Sequence, residues 1–259
     1  MVGLLWYQYA MIGLVFVWSG FVRSGLGFGG AVLALPFLLL IVDDPLVFLP
    51  LIAAHLLVFS GMIMWKSHHR RGLSGDVTVT ETSIHWTYLR KAMKVMIVPK
   101  LIGVIGLLTL PPKMMSTIIF VIVTIYGLGY IVNKPIRSKS KFLDAAMLAI
   151  GGYISGTSLT GAPMVIPVFA AHVPKYQLRD TLFVLWFILT SIKLTSFIIA
   201  GVDLQLIHHL WLLPCAWVGH VLGERFHQRI LAAETPTFFR WLGVMLIVVS
   251  AAGFLRISG

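Results

Sequence analysis

The sequence predicts an all-α polytopic membrane protein, a single membrane domain over residues 1–259. It is built as two inverted repeats, 1–135 and 136–259, each a glycine-broken re-entrant helical hairpin followed by three transmembrane helices. Three observations lead there. The 259 residues are 58% hydrophobic and only 11% charged, with a mean hydropathy of +0.93, far above a soluble domain. Eight apolar segments divide the chain, and two of them exceed the length of one straight crossing of a core roughly 30 Å thick. Those two share a glycine-containing motif at an offset of 131 residues.

In order, the apolar segments run over about 4–42, 45–65, 93–110, 114–132, 142–173, 181–200, 207–223 and 237–256. Six have single-span length. The first is broken by Ser24-Gly25-Leu26-Gly27-Phe28-Gly29-Gly30 and the fifth by Ser155-Gly156-Thr157-Ser158-Leu159-Thr160-Gly161. Interior glycines each cost a helix about 0.8–1 kcal/mol relative to alanine, so such a cluster serves close backbone approach. With Pro36 laid over Pro167, Ser24, Gly25, Gly30 and Ala31 meet identical residues, and Gly27 and Gly29 face Ser158 and Thr160. Residues 1–22 contain no Lys or Arg, so the first segment lacks the basic start of a cleavable signal and is expected to stay. The 66–94 connection is the one sizeable polar stretch, and its 77–80 and 84–89 portions read as interfacial.

Charge placement decides how the two long segments fold. If each returns to its own side, fifteen Lys and Arg face the cytoplasm, in 66–94, 133–141, 173–180 and 224–240, against Lys113 and Arg256 outside. If each crosses once, the distribution falls to eleven against six, a poorer match to the positive-inside rule. The hairpin arrangement is therefore expected, with loops 66–94 and 133–141 cytoplasmic. Three crossings per half then invert the second half relative to the first, as in many secondary transporters. The net charge of +11 belongs to these loops and implies no nucleic-acid partner. Cys215 is the one cysteine, which excludes an intrachain disulfide and a cysteine-based metal cluster.

Three cations, Arg23, Lys100 and Lys193, fall within the spans or their breaks, whereas all nine carboxylates lie in loops or at segment ends. A lining of positive charge, glycine amides and hydroxyls suits an anion and repels cations. The candidate binding residues are Arg23, Ser24, Gly25, Gly27, Gly29, Gly30, Thr157, Ser158, Thr160, Gly161 and Lys193, with no metal site and no cofactor. For the hydroxyls, back-bonding to helix carbonyls is the competing structural reading; for Arg23 and Lys100 it is snorkelling toward headgroups. His55, His172 and His220 sit in apolar segments; anchoring is the favoured reading, and proton coupling is the alternative for His55 or His172. His68-His69 and His208-His209 read as interface anchors. Gly103 with Gly106, and Gly219 with Gly223, fit close helix packing or, for the second pair, contacts in a homodimer.

These residues resemble the sulfite exporter TauE/SafE family of permeases for sulfite, sulfonates and other sulfur-containing organic anions. The resemblance spans nearly the whole chain: the Gly25–Gly30 turn ahead of Pro36, its degenerate copy at Gly156–Pro167, and the glycine-rich spans at Gly103 and Gly219. Ala31 stands where a third consecutive glycine is common in that family, and the loop carrying His68-His69-Arg70-Arg71 is more basic than usual. The resemblance implies a multi-pass carrier in a bacterial or archaeal plasma (inner) membrane, moving a small sulfur-containing anion by alternating access, with H⁺ or Na⁺ as a coupling ion. An anion channel using the same positive cavity is the alternative. A membrane enzyme would need a nucleophile–base pair or metal triad on facing spans, and the sequence offers none.

Overall fold

The computed structural model describes residues 1, 3–26, 30–73, 84–132, 140–232 and 236–258. Gly27 and Gly29, the centre of the first break, lie outside the described residues, as do most of the 133–141 loop and residues 74–83 of the 66–94 loop. Among the described residues there are ten helices and no strand: α1 (Trp6–Leu26), α2 (Gly30–Ile41), α3 (Pro45–Leu73), α4 (Trp86–Thr109), α5 (Pro112–Val132), α6 (Lys141–Ser158), α7 (Ala162–His172), α8 (Lys175–Ile199), α9 (Leu206–Ala232) and α10 (Pro236–Ser258). Proline opens α3, α5 and α10, where its missing N–H costs nothing.

Among the described residues six helices are long and apolar enough to cross a membrane, and they fall on the six single-span segments: Pro45–Met62, Trp86–Thr109, Pro112–Val132, Lys175–Ile199, Leu206–Arg225 and Arg240–Ile257. Exposed Ile102, Ile105, Ile199, Leu210 and Val248 suit contact with lipid. One boundary differs from the sequence reading: 84–89 is not merely an interfacial stretch, because α4 already starts at Trp86. The His85 ring accepts the Tyr88 amide at 3.2 Å and nucleates the helix there.

Both overlong segments are broken where the glycines predicted. α6 and α7 form an antiparallel hairpin: Gly161 lies against Ser155 and Gly151, Val165 against Gly151, and His172 pairs with Asp144. In the first half Gly30 lies against Ser19 and Arg23, and Ser19 Oγ donates to the Gly30 carbonyl at 3.2 Å. The first helix of each hairpin packs on a helix from the other half of the chain. α1 lies along α9, α6 along α4, α5 along α10 and α3 along α8.

Glycine permits these contacts. A Cβ on Gly219 would sit 1.9 Å from the Val17 carbonyl oxygen, and one on Gly20 would sit 2.2 Å from that of Ala216. Across the other pair, a Cβ on Gly103 would lie 2.3 Å from Tyr153 O and one on Gly156 2.3 Å from Lys100 O. Gly219 and Gly223 thus pack inside the chain, against α1. Gly106 differs from its neighbour, since a Cβ there meets nothing within 4 Å.

The apolar interior is divided into two clusters. One holds Phe16, Leu35, Leu38, Phe48, Phe120 and Leu246, around α1, α2 and the α5–α10 pair. The other holds Met96, Val165, Phe169, Leu185 and Leu189, from α4, α7 and α8. The packing of α3 on α8 brings the two together, and the site described below lies at this junction.

Gly219→Ala is expected to destabilise the protein by about 1–3 kcal/mol, the usual cost of overpacking, read as an earlier thermal transition in detergent. Gly129→Ala, where a Cβ meets nothing within 4 Å, should be neutral. Equal transitions for the two variants would refute the backbone-contact account of the α1–α9 interface.

Candidate functional site

A cavity lies where both helix breaks meet the α3–α8 pair. Arg23 reaches it from the last turn of α1, and Gly30, Ala31 and Val32 are the opening residues of α2. Ser155, Leu159 and Ala162 line it from the second break, and Leu56, Ser60, Phe183, Trp186 and Thr190 close it from α3 and α8. Its space for water-sized groups is about 50 Å³, several times the roughly 10–15 Å³ that one water requires. An anion of a few heavy atoms fits.

Arg23 is 5% exposed. Its Cζ lies 4.0 Å from the Phe59 ring centroid, a cation–π contact that holds the guanidinium without using its donors. Nε and Nη2 are buried and have no hydrogen-bond partner among the described residues. Leaving buried charged donors unmet is costly, and no described carboxylate lines the cavity. The first turns of α2 and α7 turn the positive ends of their helix dipoles toward the cavity, although in α7 the Gly161 carbonyl already takes the Met164 and Val165 amides, each at 3.2 Å.

The two buried lysines are arranged differently. Lys193, with no exposed surface, donates to the carbonyls of Gly156 at 2.7 Å and Thr157 at 3.1 Å. Lys100, equally buried, donates to Ser155 Oγ at 3.1 Å and the Ser155 carbonyl at 3.4 Å. Both ammonium groups thus cap the C-terminal end of α6, satisfying carbonyls that a broken helix leaves unpaired. Leu159 follows at φ +60°, a left-handed conformation uncommon for a residue other than glycine, and turns the chain toward α7.

Of the residues marked in the sequence, the structure brings Arg23 and Gly30 to the cavity wall. Thr157 and Ser158 donate their hydroxyls to the Ile154 carbonyl, each at 3.1 Å, and Ser158 Oγ lies 2.6 Å from Thr160 Oγ1. Gly161 caps α7, and a Cβ there would lie 2.3 Å from Gly151 O. Ser24 Oγ is hydrogen-bonded to His220 Nδ1, and Gly25 lies against Gly223.

Sequence reasoning missed Ser155, Thr190 and the pairing of His220. Its clue was available. Lys100 and His220 each precede by three residues a glycine, Gly103 or Gly223, that packs against a hairpin, and each binds the serine of that hairpin's motif. Asp144 is also buried, at the end of its apolar segment, where the sequence places it. It stands in the first turn of α6 and pairs with His172 Nε2 at 2.7 Å, while Tyr88 stacks on the histidine at 5.0 Å.

Among the described residues, ten helices, six of them of membrane-crossing length, with broken hairpins beside a buried cavity that Arg23 lines, define a polytopic membrane protein. The sulfite exporter TauE/SafE family model matches residues 12–253. The chain therefore belongs to that family and is a membrane transporter, not an enzyme. Comparison with curated proteins and with solved structures gives no significant match.

Lys193→Met is expected to lower stability by about 1.5–3 kcal/mol, the range for hydrogen bonds to a charged group, measured by thermal unfolding in detergent. Unchanged stability with a loss of ligand binding alone would instead make Lys193 a direct ligand.

Proposed function

We propose that the protein carries a small sulfur-containing anion, sulfite or an organosulfonate, by alternating access between two inverted repeats, 1–135 and 136–259. The anion is held between the tips of the two re-entrant hairpins. Arg23 is its principal ligand, supported by backbone amides around Gly30 and Ala162 and by the stretch of sequence that contains Ser24, Gly25, Gly27 and Gly29. The observation that carries this reading is the Arg23 guanidinium, buried beside a cavity with two nitrogens unpartnered. An oxyanion would supply the missing acceptors, with the charge-assisted bonds for which arginine is suited.

Lys193 and Lys100 act on the anion through the end of α6, as do the back-bonded Thr157, Ser158 and Thr160 and the packed Gly161. The lysines turn the unfavourable negative end of that helix into a neutral or positive wall. The exchange of packing partners between the halves supports a duplicated architecture, α1 on α9 being answered by α6 on α4. The charge distribution supports cytoplasmic placement of 66–94 and 133–141 in a bacterial or archaeal plasma membrane.

In proteoliposomes offered sulfite, thiosulfate, sulfoacetate, taurine and sulfate, wild-type protein is expected to show saturable uptake of at least one anion. Arg23→Gln should reduce it about 10- to 100-fold, corresponding to the loss of one charged hydrogen-bonding group, with folding retained by gel filtration. Undiminished uptake by Arg23→Gln would sink the site, and non-saturating conductance would favour a channel.

Topology has its own test. In a Cys215→Ser background, Tyr176→Cys should react with a membrane-impermeant thiol reagent only from the cytoplasm, and Met114→Cys only from outside. Both side chains are exposed. Labelling of Tyr176→Cys from outside would overturn the hairpin arrangement.

A further inference from the structure

On the α9 side of Arg23, a group of side chains that does not line the anion cavity bears on the guanidinium from behind. His220 of α9 is 5% exposed, and its Nδ1 is hydrogen-bonded to Ser24 Oγ, in the residue next to Arg23. Its Nε2 stands 3.8 Å from Glu224 Oε1, one turn further along α9. A carboxylate on that side favours a proton on Nε2, so Nδ1 accepts from the Ser24 hydroxyl. The same imidazole lies 5.3 Å from the Phe59 ring, and Phe59 carries the guanidinium on its face, with Arg23 Cζ 4.0 Å from the centroid. Trp217, one turn before His220, packs on Phe59 at 6.3 Å and on His220 at 5.6 Å. His220 thus reaches Arg23 by two routes, along the backbone through Ser24 and across Phe59.

Two observations set this apart from ordinary core packing. The backbones have no slack here: a Cβ on Gly223 would fall 2.5 Å from Phe21 O and 3.0 Å from both Gly25 N and Ser24 Cβ. α9 is therefore seated against the turn of α1 that carries Arg23 and Ser24. The arrangement also occurs twice. In the second half Lys100, three residues before Gly103, donates to Ser155 Oγ at 3.1 Å, and Ser155 matches Ser24 at the 131-residue offset. Two basic side chains of different chemistry hold the same serine of the two hairpins. A buried hydrogen bond adds little net stability over apolar groups of the same shape, but it has direction, and direction is what a hairpin tip beside a binding cavity needs.

We propose that His220, oriented by Glu224, is the positioning residue for Arg23: it fixes the last turn of α1 so that the unpartnered guanidinium nitrogens are presented to the cavity. It acts through Ser24 and Phe59 and does not touch the anion. The proposal rests on the anion reading given above for its cargo, but the placement of Arg23 is tested without it.

The test uses full-length protein in liposomes, with whichever of sulfite, thiosulfate, sulfoacetate, taurine or sulfate the wild type takes up. His220→Leu removes the acceptor and should raise the apparent KM about three- to tenfold, the size of one hydrogen bond, with the maximum rate little changed. His220→Asn, which places an amide near the position of Nδ1, should recover most of that loss. Ser24→Ala removes the other end of the bond and replaces the leucine variant if that one does not fold. In an Arg23→Gln background His220→Leu should cost less than about twofold more, because effects that run through one group do not add. An unchanged KM in His220→Leu, no recovery in His220→Asn, or a full further loss in the Arg23→Gln background refutes the proposal. A second readout needs no substrate: hydrogen exchange of the amides of residues 19–25 should quicken in His220→Leu and return toward the wild-type rate in His220→Asn. Unchanged exchange in His220→Leu refutes the positioning role whatever the cargo, whereas quickened exchange in a protein that takes up none of these anions refutes only the anion reading.

Discussion

In an apolar interior every backbone polar group must find a partner, and a broken helix leaves several without one at each end. That constraint organises this protein. At the end of α6 it is met by Lys100 and Lys193, whose ammonium groups bond to the carbonyls of Ser155, Gly156 and Thr157. At the beginning of α7 the Gly161 carbonyl takes the Met164 and Val165 amides, each at 3.2 Å, and Pro163 has no N–H, so the groups that need an acceptor are chiefly those of Arg23. The protein supplies no described carboxylate at the cavity and adds an arginine with two unpartnered donors. Cations meet the carbonyl end of α6, and the unpartnered donors of Arg23 lie beside a cavity.

Packing makes those broken ends possible. α1 could not lie on α9, nor α6 on α4, with a side chain at Gly219, Gly20, Gly103 or Gly156, because each Cβ would fall within 2.3 Å of a carbonyl oxygen. Such close approach brings Lys100 and His220 against the serines of the facing hairpins. The two halves then diverge chemically. Lys100 answers Ser155 and His220 answers Ser24, while Arg23 corresponds, at the 131-residue offset, to Ile154. The first hairpin thus carries an unpartnered cation where the second carries an isoleucine.

The fold was legible in the sequence to a useful depth. Hydropathy located the six crossing helices, and the glycine clusters located both breaks, since nothing but backbone proximity explains Gly25 and Gly156 at matched positions. The start of α4 was hidden because His85 caps it by a local hydrogen bond that hydropathy does not register. The site was legible only in outline. That Arg23, Lys100 and Lys193 are buried followed from their apolar surroundings, but their partners did not. Lys193 bonds to carbonyls 36 and 37 residues away, contacts set by tertiary packing. Thr157 and Ser158 looked like ligands, yet their hydroxyls lie within reach of the preceding turn's carbonyl and take it.

The unmet groups are not scattered. Arg23 and His55, the two buried basic side chains in the hairpin region with nitrogens unpartnered, border different cavities across the same helix, α3, with Phe59 one turn on from His55 holding the guanidinium face. Buried charges that merely stabilise a fold are normally satisfied, as Lys100, Lys193 and the Asp144–His172 pair are. Under the function proposed above, the Arg23 donors are left for the anion to meet.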